Sequence, residues 1–110
     1  KAMALVTGVY GLTKTFPREE IYGLTSQTRK AAVSVPANIA EGQGRRLSGE
    51  FHQFLATSRG SLMELDTHLE VACRVGYIND EQHRAIQQDL NEVGRLLNGL
   101  MRSIKSKSDI

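Results

Sequence analysis

Apolar residues recur every three or four positions along almost the whole 110-residue chain, and this spacing limits the fold to packed helices. The sequence has no convincing alternation of apolar and polar residues of the kind that a half-buried strand requires. Breaks at Pro17, at residues 42–46 and at residues 76–80 divide the pattern into four segments. The sequence therefore predicts an all-α fold. Short connections favour an antiparallel up-down-up-down four-helix bundle.

The fourth segment has the clearest helical pattern. Asn79 can cap this helix, and Gln82 three residues later completes a capping box. The side chains expected to face the other helices follow steps of three and four: His83, Ile86, Leu90, Val93, Leu97, Leu100 and Ile104. This a/d spacing predicts a seam that packs on neighbouring helices at a shallow crossing angle.

The two middle segments predict a pair of helices joined by a glycine-rich turn. The second helix is expected to begin at Pro17, because proline is favoured at a first helical position. A kink is expected at Pro36, and the Gly42-Gln43-Gly44 turn should end the helix. The third helix is expected to cover residues 48–75.

Each of the first three helices carries one apolar stripe that is expected to face the core. The stripes are Leu5, Val9, Leu12 and Phe16; then Ile21, Leu24, Thr28, Ala32, Val35 and Ile39; then Phe51, Phe54, Leu55, Ser58, Leu62, Leu65, Leu69, Ala72 and Cys73. Residues 1–110 are expected to form a single domain, with a flexible tail at 105–110. The N-terminal part of the first helix is expected to be missing from this sequence.

The second helix has a further apolar strip outside its core stripe. Its members are Tyr22, Val33, Pro36 and Ala40, and several alanines make the helix thin. A helix that is apolar nearly all round must be buried on more than one side, whereas a lone bundle covers one. We therefore expect a homo-oligomer with these four residues in its interface. The alternative is that the alanines are merely good helix formers at a solvent-exposed surface.

Polar residues of the second helix also fall on one side, with Ser34, Asn38 and Glu41 at steps of four and three. One interpretation is a small polar site for a cation. The other is a structural network that ties helix ends and subunits together, with Arg29 or Glu64 as ionic partner. We favour the structural interpretation because the sequence places no base or nucleophile nearby, and we expect no enzymatic activity.

Metal and cofactor sites are not indicated by the spacing of their usual ligands. The sequence lacks the paired Glu-x-x-His motifs of a di-iron bundle. Glu64 and His68 could share a zinc ion, but such a lone pair is more often a surface contact. Cys73, the single cysteine, reads as a small core residue. We therefore expect neither a metal nor a cofactor.

Positive charge is concentrated in the first part of the chain. Residues 1–47 hold seven basic and three acidic side chains, whereas residues 48–110 hold seven and nine. The candidate phosphate-binding residues are Arg29, Lys30, Arg45 and Arg46, with a second basic cluster at Arg102, Lys105 and Lys107. In a symmetric oligomer, repeated copies would create a positive field able to hold RNA or DNA through phosphates. In one subunit the same charges are an ordinary solvated surface.

The amino-acid composition further narrows the classes of protein to which this chain could belong. Aromatic residues make up 5% of the chain and tryptophan is absent, which argues against a stacking platform for single strands. No window of about twenty apolar residues exists, so the sequence predicts no membrane span. The single thiol and the lack of export features predict a cytoplasmic location.

Two long motifs resemble a known family. FPREEIYGLTSQ at 16–27, RKAAVSVP at 29–36 and ANIAEG at 37–42 are similar to the signature of the four-helix-bundle proteins encoded in intervening sequences of bacterial 23S rRNA genes. GSLMEL at 60–65 resembles the third-helix motif of that family. The similarity covers the chain from Phe16 to Ile78.

The resemblance implies a ring of five antiparallel bundles without established enzymatic activity. It also implies two kinds of partner, because some relatives are described as ribosome-associated, and a member of this fold assists diversity-generating retroelements by binding a reverse transcriptase and nucleic acid. The leading hypothesis is an RNA-associated accessory protein. The alternative is a docking scaffold for a protein partner such as a reverse transcriptase. Lys30 departs from the arginine common at this position, which weakens the case for a bidentate contact there.

Overall fold

The computed structural model describes the backbone of residues 1–108 and the side chains of residues 1–104. Its helices are α1 (Ala2–Thr13), α2 (Leu24–Gln43), α3 (Ser48–Arg74) and α4 (Asp80–Ser108), with a 3₁₀ turn at Arg18–Glu20. This part of the chain contains no strand. The all-α four-helix prediction is therefore confirmed. The tail predicted for 105–110 falls on residues that are not fully described.

The order of packing follows the order of the helices along the chain. α2 packs on α3, α3 packs on α4, and α1 closes the bundle against α2 and α4. The largest fully buried side chains are Leu5, Val9, Thr13, Thr28, Val35, Leu55, Ser58, Leu65, Leu69, Val93 and Leu97. Since complete burial of one aliphatic side chain contributes about 1.5–3 kcal/mol, the interior these helices share dominates stability.

The capping box predicted at the start of α4 is confirmed. The backbone N–H of Gln82 donates to Asn79 Oδ1 at 2.7 Å, and the backbone N–H of Asn79 donates to Gln82 Oε1 at 2.9 Å. The two residues thereby satisfy each other's exposed polar groups at the helix start.

The predicted seam of α4 is wrong at one position. Leu100 is 39% exposed, and Met101 is buried in its place. A strict alternation of three and four follows a period of 3.5, whereas a straight helix has 3.6 residues per turn. Two successive steps of four, from Val93 to Leu97 and from Leu97 to Met101, correct this drift before the step of three to Ile104.

The predicted start of α2 is also wrong. α2 begins at Leu24 rather than at Pro17, and Ile21, expected in the core, is 52% exposed. α1 ends at Thr13, so Phe16 enters the core from the connecting segment rather than from a helix. Residues 14–23 thus form a connection that contains one short 3₁₀ turn, and they are not the first turns of α2.

Tertiary contacts fix this connection. The Glu20 carboxylate accepts hydrogen bonds from the backbone N–H of Leu24 at 3.2 Å and from the Tyr77 hydroxyl at 2.8 Å. The hydrogen bond to Glu20 raises the pKa of Tyr77, and burial raises it further. The Tyr77 ring also packs on Phe16, with 5.4 Å between ring centroids. Residues 57 positions apart therefore set the start of α2.

Small residues allow α2 and α3 to approach closely. The buried Ser58 hydroxyl donates to the Val35 carbonyl at 2.8 Å, one residue before Pro36. At the end of α2, a Cβ added to Gly42 would lie 2.7 Å from Phe51 Cδ1 and 2.9 Å from Phe54 Cβ. Only glycine fits at this position without a shift of α3.

Replacement of Gly42 by alanine is expected to lower the free energy of unfolding by about 1–3 kcal/mol, because the methyl group overpacks the α2–α3 contact. Urea denaturation followed by circular dichroism measures the change. Gly60→Ala is the matched control, since a Cβ there meets nothing within 4 Å. The control should gain up to about 1 kcal/mol from helix propensity. Equal effects at both positions would contradict the close contact at Gly42.

Candidate nucleic-acid interface

One end of the bundle gathers positive charge from distant parts of the sequence. Arg45 and Arg46 are exposed in the turn between α2 and α3. α4 runs antiparallel to α3, with a hydrogen bond of 3.1 Å from Arg59 Nη1 to Asn98 Oδ1. Exposed Arg102 lies one turn further along α4, towards the Arg45–Arg46 turn. The antiparallel arrangement thus brings Arg102 towards the end that carries Arg45 and Arg46.

Arg45 is held in place while its side chain remains accessible. Its guanidinium lies over the Phe54 ring, 4.8 Å from the centroid, and Nη2 is 3.8 Å from Glu41 Oε2. The Arg45 side chain is 41% exposed. Arg46 is exposed and makes no ion pair within residues 1–104. These two cations can contact phosphate with little desolvation cost.

Arg29 and Lys30 lie apart from this turn. Arg29 Nε donates to Thr13 Oγ1 at 2.8 Å, and its guanidinium lies 4.7 Å from the Tyr10 ring centroid. Arg29 therefore ties α2 to α1. Lys30 lines a groove between α2 and α3 instead. The four candidate phosphate-binding residues thus occupy three separate places.

The predicted polar network divides into two groups. Asn38 Nδ2 donates to the Ser34 carbonyl at 2.8 Å and to Ser34 Oγ at 2.9 Å, and Ser34 Oγ lies 2.7 Å from Ser61 Oγ. Glu41 lies instead beside Arg45. Glu64 belongs with the first group, because it lines the same α2–α3 groove as Ser34 and Ser61, about 340 Å³ in volume.

Ser61 is the partner that the sequence analysis missed. It hydrogen-bonds Ser34 across the α2–α3 interface and joins no other residue of the predicted network. Its position three residues after Ser58, beside the apolar stripe of α3, is the signal that could have revealed it.

The candidate interface strip is only partly on α2. Val33 is 42% exposed, Pro36 is half-buried and Ala40 is exposed, and their spacing of three and four puts them on one edge of α2. Tyr22 precedes the first residue of α2 and is 94% exposed. The strip therefore consists of a helix edge and a separate, projecting aromatic side chain.

No group of three or more histidine, cysteine, aspartate or glutamate side chains among the described residues could hold a metal ion. Burial raises the pKa of the Cys73 thiol, and the carboxylate of Asp80, 3.5 Å away, raises it further. A thiol kept protonated is a poor nucleophile. None of the described helices is long and apolar enough to cross a membrane.

Comparison with known proteins agrees with this architecture. The chain is similar in fold to a protein of unknown function from the S23 ribosomal protein family of Bacteroides thetaiotaomicron, whose crystal structure matches with a TM-score of 0.84 and 24% sequence identity. The match covers 91% of this chain and 94% of that one. No curated protein matches the sequence. The family model for the 23S rRNA-intervening sequence protein matches residues 1–99, and the chain belongs to that family.

Proposed function

We propose that this protein is a non-enzymatic, homo-oligomeric, RNA-associated accessory protein that acts in the cytoplasm. The observation that supports it most is the basic end of the bundle, where Arg45 and Arg46 are exposed and Arg102 lies in the part of α4 that runs towards them. Membership of the family of 23S rRNA-intervening sequence proteins is consistent with an RNA-associated role. Binding through arginine and phosphate needs no exposed aromatic platform and little base recognition.

The oligomer is proposed on the exposed edge of α2. Val33, Pro36 and Ala40 form an apolar strip in which alanines allow close approach of a second backbone. Association through this edge would bring several basic ends together, and a ring of five copies is the arrangement that the family resemblance favours. The summed field would strengthen phosphate binding beyond that of one subunit.

Replacement of both Arg45 and Arg46 by alanine is expected to weaken binding of a structured RNA at low salt by at least tenfold, because two charge-assisted contacts are lost. The slope of log affinity against log salt should fall by about two for each subunit in contact. Fluorescence anisotropy with a labelled RNA hairpin measures both quantities.

The matched control is the double variant Arg18→Ala and Arg84→Ala, which removes the same charge from exposed positions at the opposite end. It should keep both affinity and salt slope. Affinity that does not depend on salt, or that falls equally in both double variants, would refute the proposed interface.

Arg29→Ala is expected to cost about 2 kcal/mol of unfolding free energy, since it removes the hydrogen bond to Thr13 and the stacking on Tyr10. Its RNA affinity should equal that of the unchanged protein. Chemical denaturation and anisotropy together test this. A stable variant with greatly weakened RNA binding would instead assign Arg29 to the interface.

Val33→Glu is expected to convert the oligomer into protomers, because it places a charge in the apolar strip. Val33 is 42% exposed in the single subunit, so the helical content should be unchanged. Light scattering measures the mass, and Thr57→Glu on the exposed face of α3 is the control. If the protein without the substitution has the mass of a monomer at micromolar concentration, the proposed oligomer is contradicted.

A second candidate function is a docking scaffold for a protein such as a reverse transcriptase. The observation that favours it is the exposed pair Ile21 and Tyr22, which Glu20 and Tyr77 hold on an ordered connection. Rigid, exposed aromatic side chains are common anchors of protein interfaces. Binding of a purified partner that resists nuclease and is lost on Tyr22→Ala would favour this function over direct RNA binding.

A further inference from the structure

The turn that carries Arg45 and Arg46 leads directly into a serine at the first position of α3. Ser48 is exposed, and it follows the two arginines at distances of three and two residues. It is the one serine in the sequence with arginine at both of these positions. We propose that Ser48 is a phosphorylation site for a basophilic protein kinase, an enzyme whose acidic groove binds arginines on the N-terminal side of the acceptor.

The backbone around Ser48 suits such an enzyme. Residues 45–47 are not helical, and Leu47 is extended, with φ −92° and ψ 134°, and 64% exposed. Ser48 is the first residue of α3, so only the first turn must open to place the segment in a groove. Gly49 favours this opening, because glycine is a poor helix former and a Cβ there would meet nothing within 4 Å.

The transfer is an ordinary phosphoryl exchange with ATP as the donor. The Ser48 oxygen forms a bond to the γ-phosphorus, the bond from that phosphorus to the β,γ-bridging oxygen breaks, and ADP leaves. The hydroxyl proton passes to the catalytic base of the kinase.

The modification would change the charge of the basic end without disturbing the bundle. A phosphoserine carries about −1.5 to −2 charges at neutral pH, which cancels those of Arg45 and Arg46. Negative charge in the first turn of a helix interacts favourably with the helix dipole, so α3 keeps its start. Phosphorylation would thus reduce phosphate binding at this end, a consequence that rests on the proposed RNA association.

The test incubates the full chain with cyclic-AMP-dependent protein kinase and magnesium ATP, followed by intact-mass and peptide mass analysis. We expect one phosphoryl group per chain, located on Ser48, and none in Ser48→Ala. Replacement of Arg45 and Arg46 by alanine should slow incorporation about tenfold or more. Ser61 is the internal control, because Arg59 precedes it by two residues but no arginine lies three residues before it, and because it is half-buried. The proposal would be overturned if no phosphate were incorporated at Ser48, or if the rate of incorporation were the same without Arg45 and Arg46.

A second measurement separates this proposal from the proposed function. The phosphorylated chain should bind the RNA hairpin with a salt slope lower by about one to two than that of the unmodified chain. If Ser48 takes phosphate and RNA binding is unchanged, the modification site stands and the RNA role of this end fails. If Ser48 takes no phosphate while Arg45 and Arg46 prove necessary for RNA binding, the RNA role of this end stands and the modification site fails.

Discussion

The close contact between α2 and α3 is the constraint on which the rest of this bundle depends. Gly42 lets the end of α2 lie against Phe51 and Phe54, and the Ser58 hydroxyl anchors α3 to the Val35 carbonyl. Small side chains permit this approach, and hydroxyl groups satisfy the polar atoms that it buries. The same contact fixes where α2 stops, and therefore where the basic turn emerges.

The antiparallel topology gives the two ends of the bundle different characters. One end carries the turn with Arg45 and Arg46 and receives the last turns of α4. The other end carries the connection that Glu20 and Tyr77 hold in place, with Tyr22 projecting from it. The charged end, the exposed Tyr22 side chain and the apolar edge of α2 between them are thus three separate surfaces.

Two errors in the sequence analysis have different physical causes. Proline at a first helical position and Ile21 on a helical spacing both predicted a helix from Pro17. Local propensity contains no information about the hydrogen bond from the Tyr77 hydroxyl to Glu20, because Tyr77 lies 57 residues away, beyond the end of α3. Leu100 was misplaced because a repeat of 3.5 was continued along a helix with 3.6 residues per turn. The first error thus comes from a long-range contact, and the second comes from the period of the helix itself.

The sequence by itself determined the number of helices, the span of α3, the cap of α4 and most of the core, because these depend on periodicity and on contacts within one turn. The tertiary structure alone decided the partners of the polar residues. In the folded chain Ser34 hydrogen-bonds to Ser61, and Glu41 forms an ion pair with Arg45. The Arg29 guanidinium lies over the Tyr10 ring. Such pairings depend on which helix edges face each other, and the spacing of residues along one helix contains no information about the rotation of its neighbour.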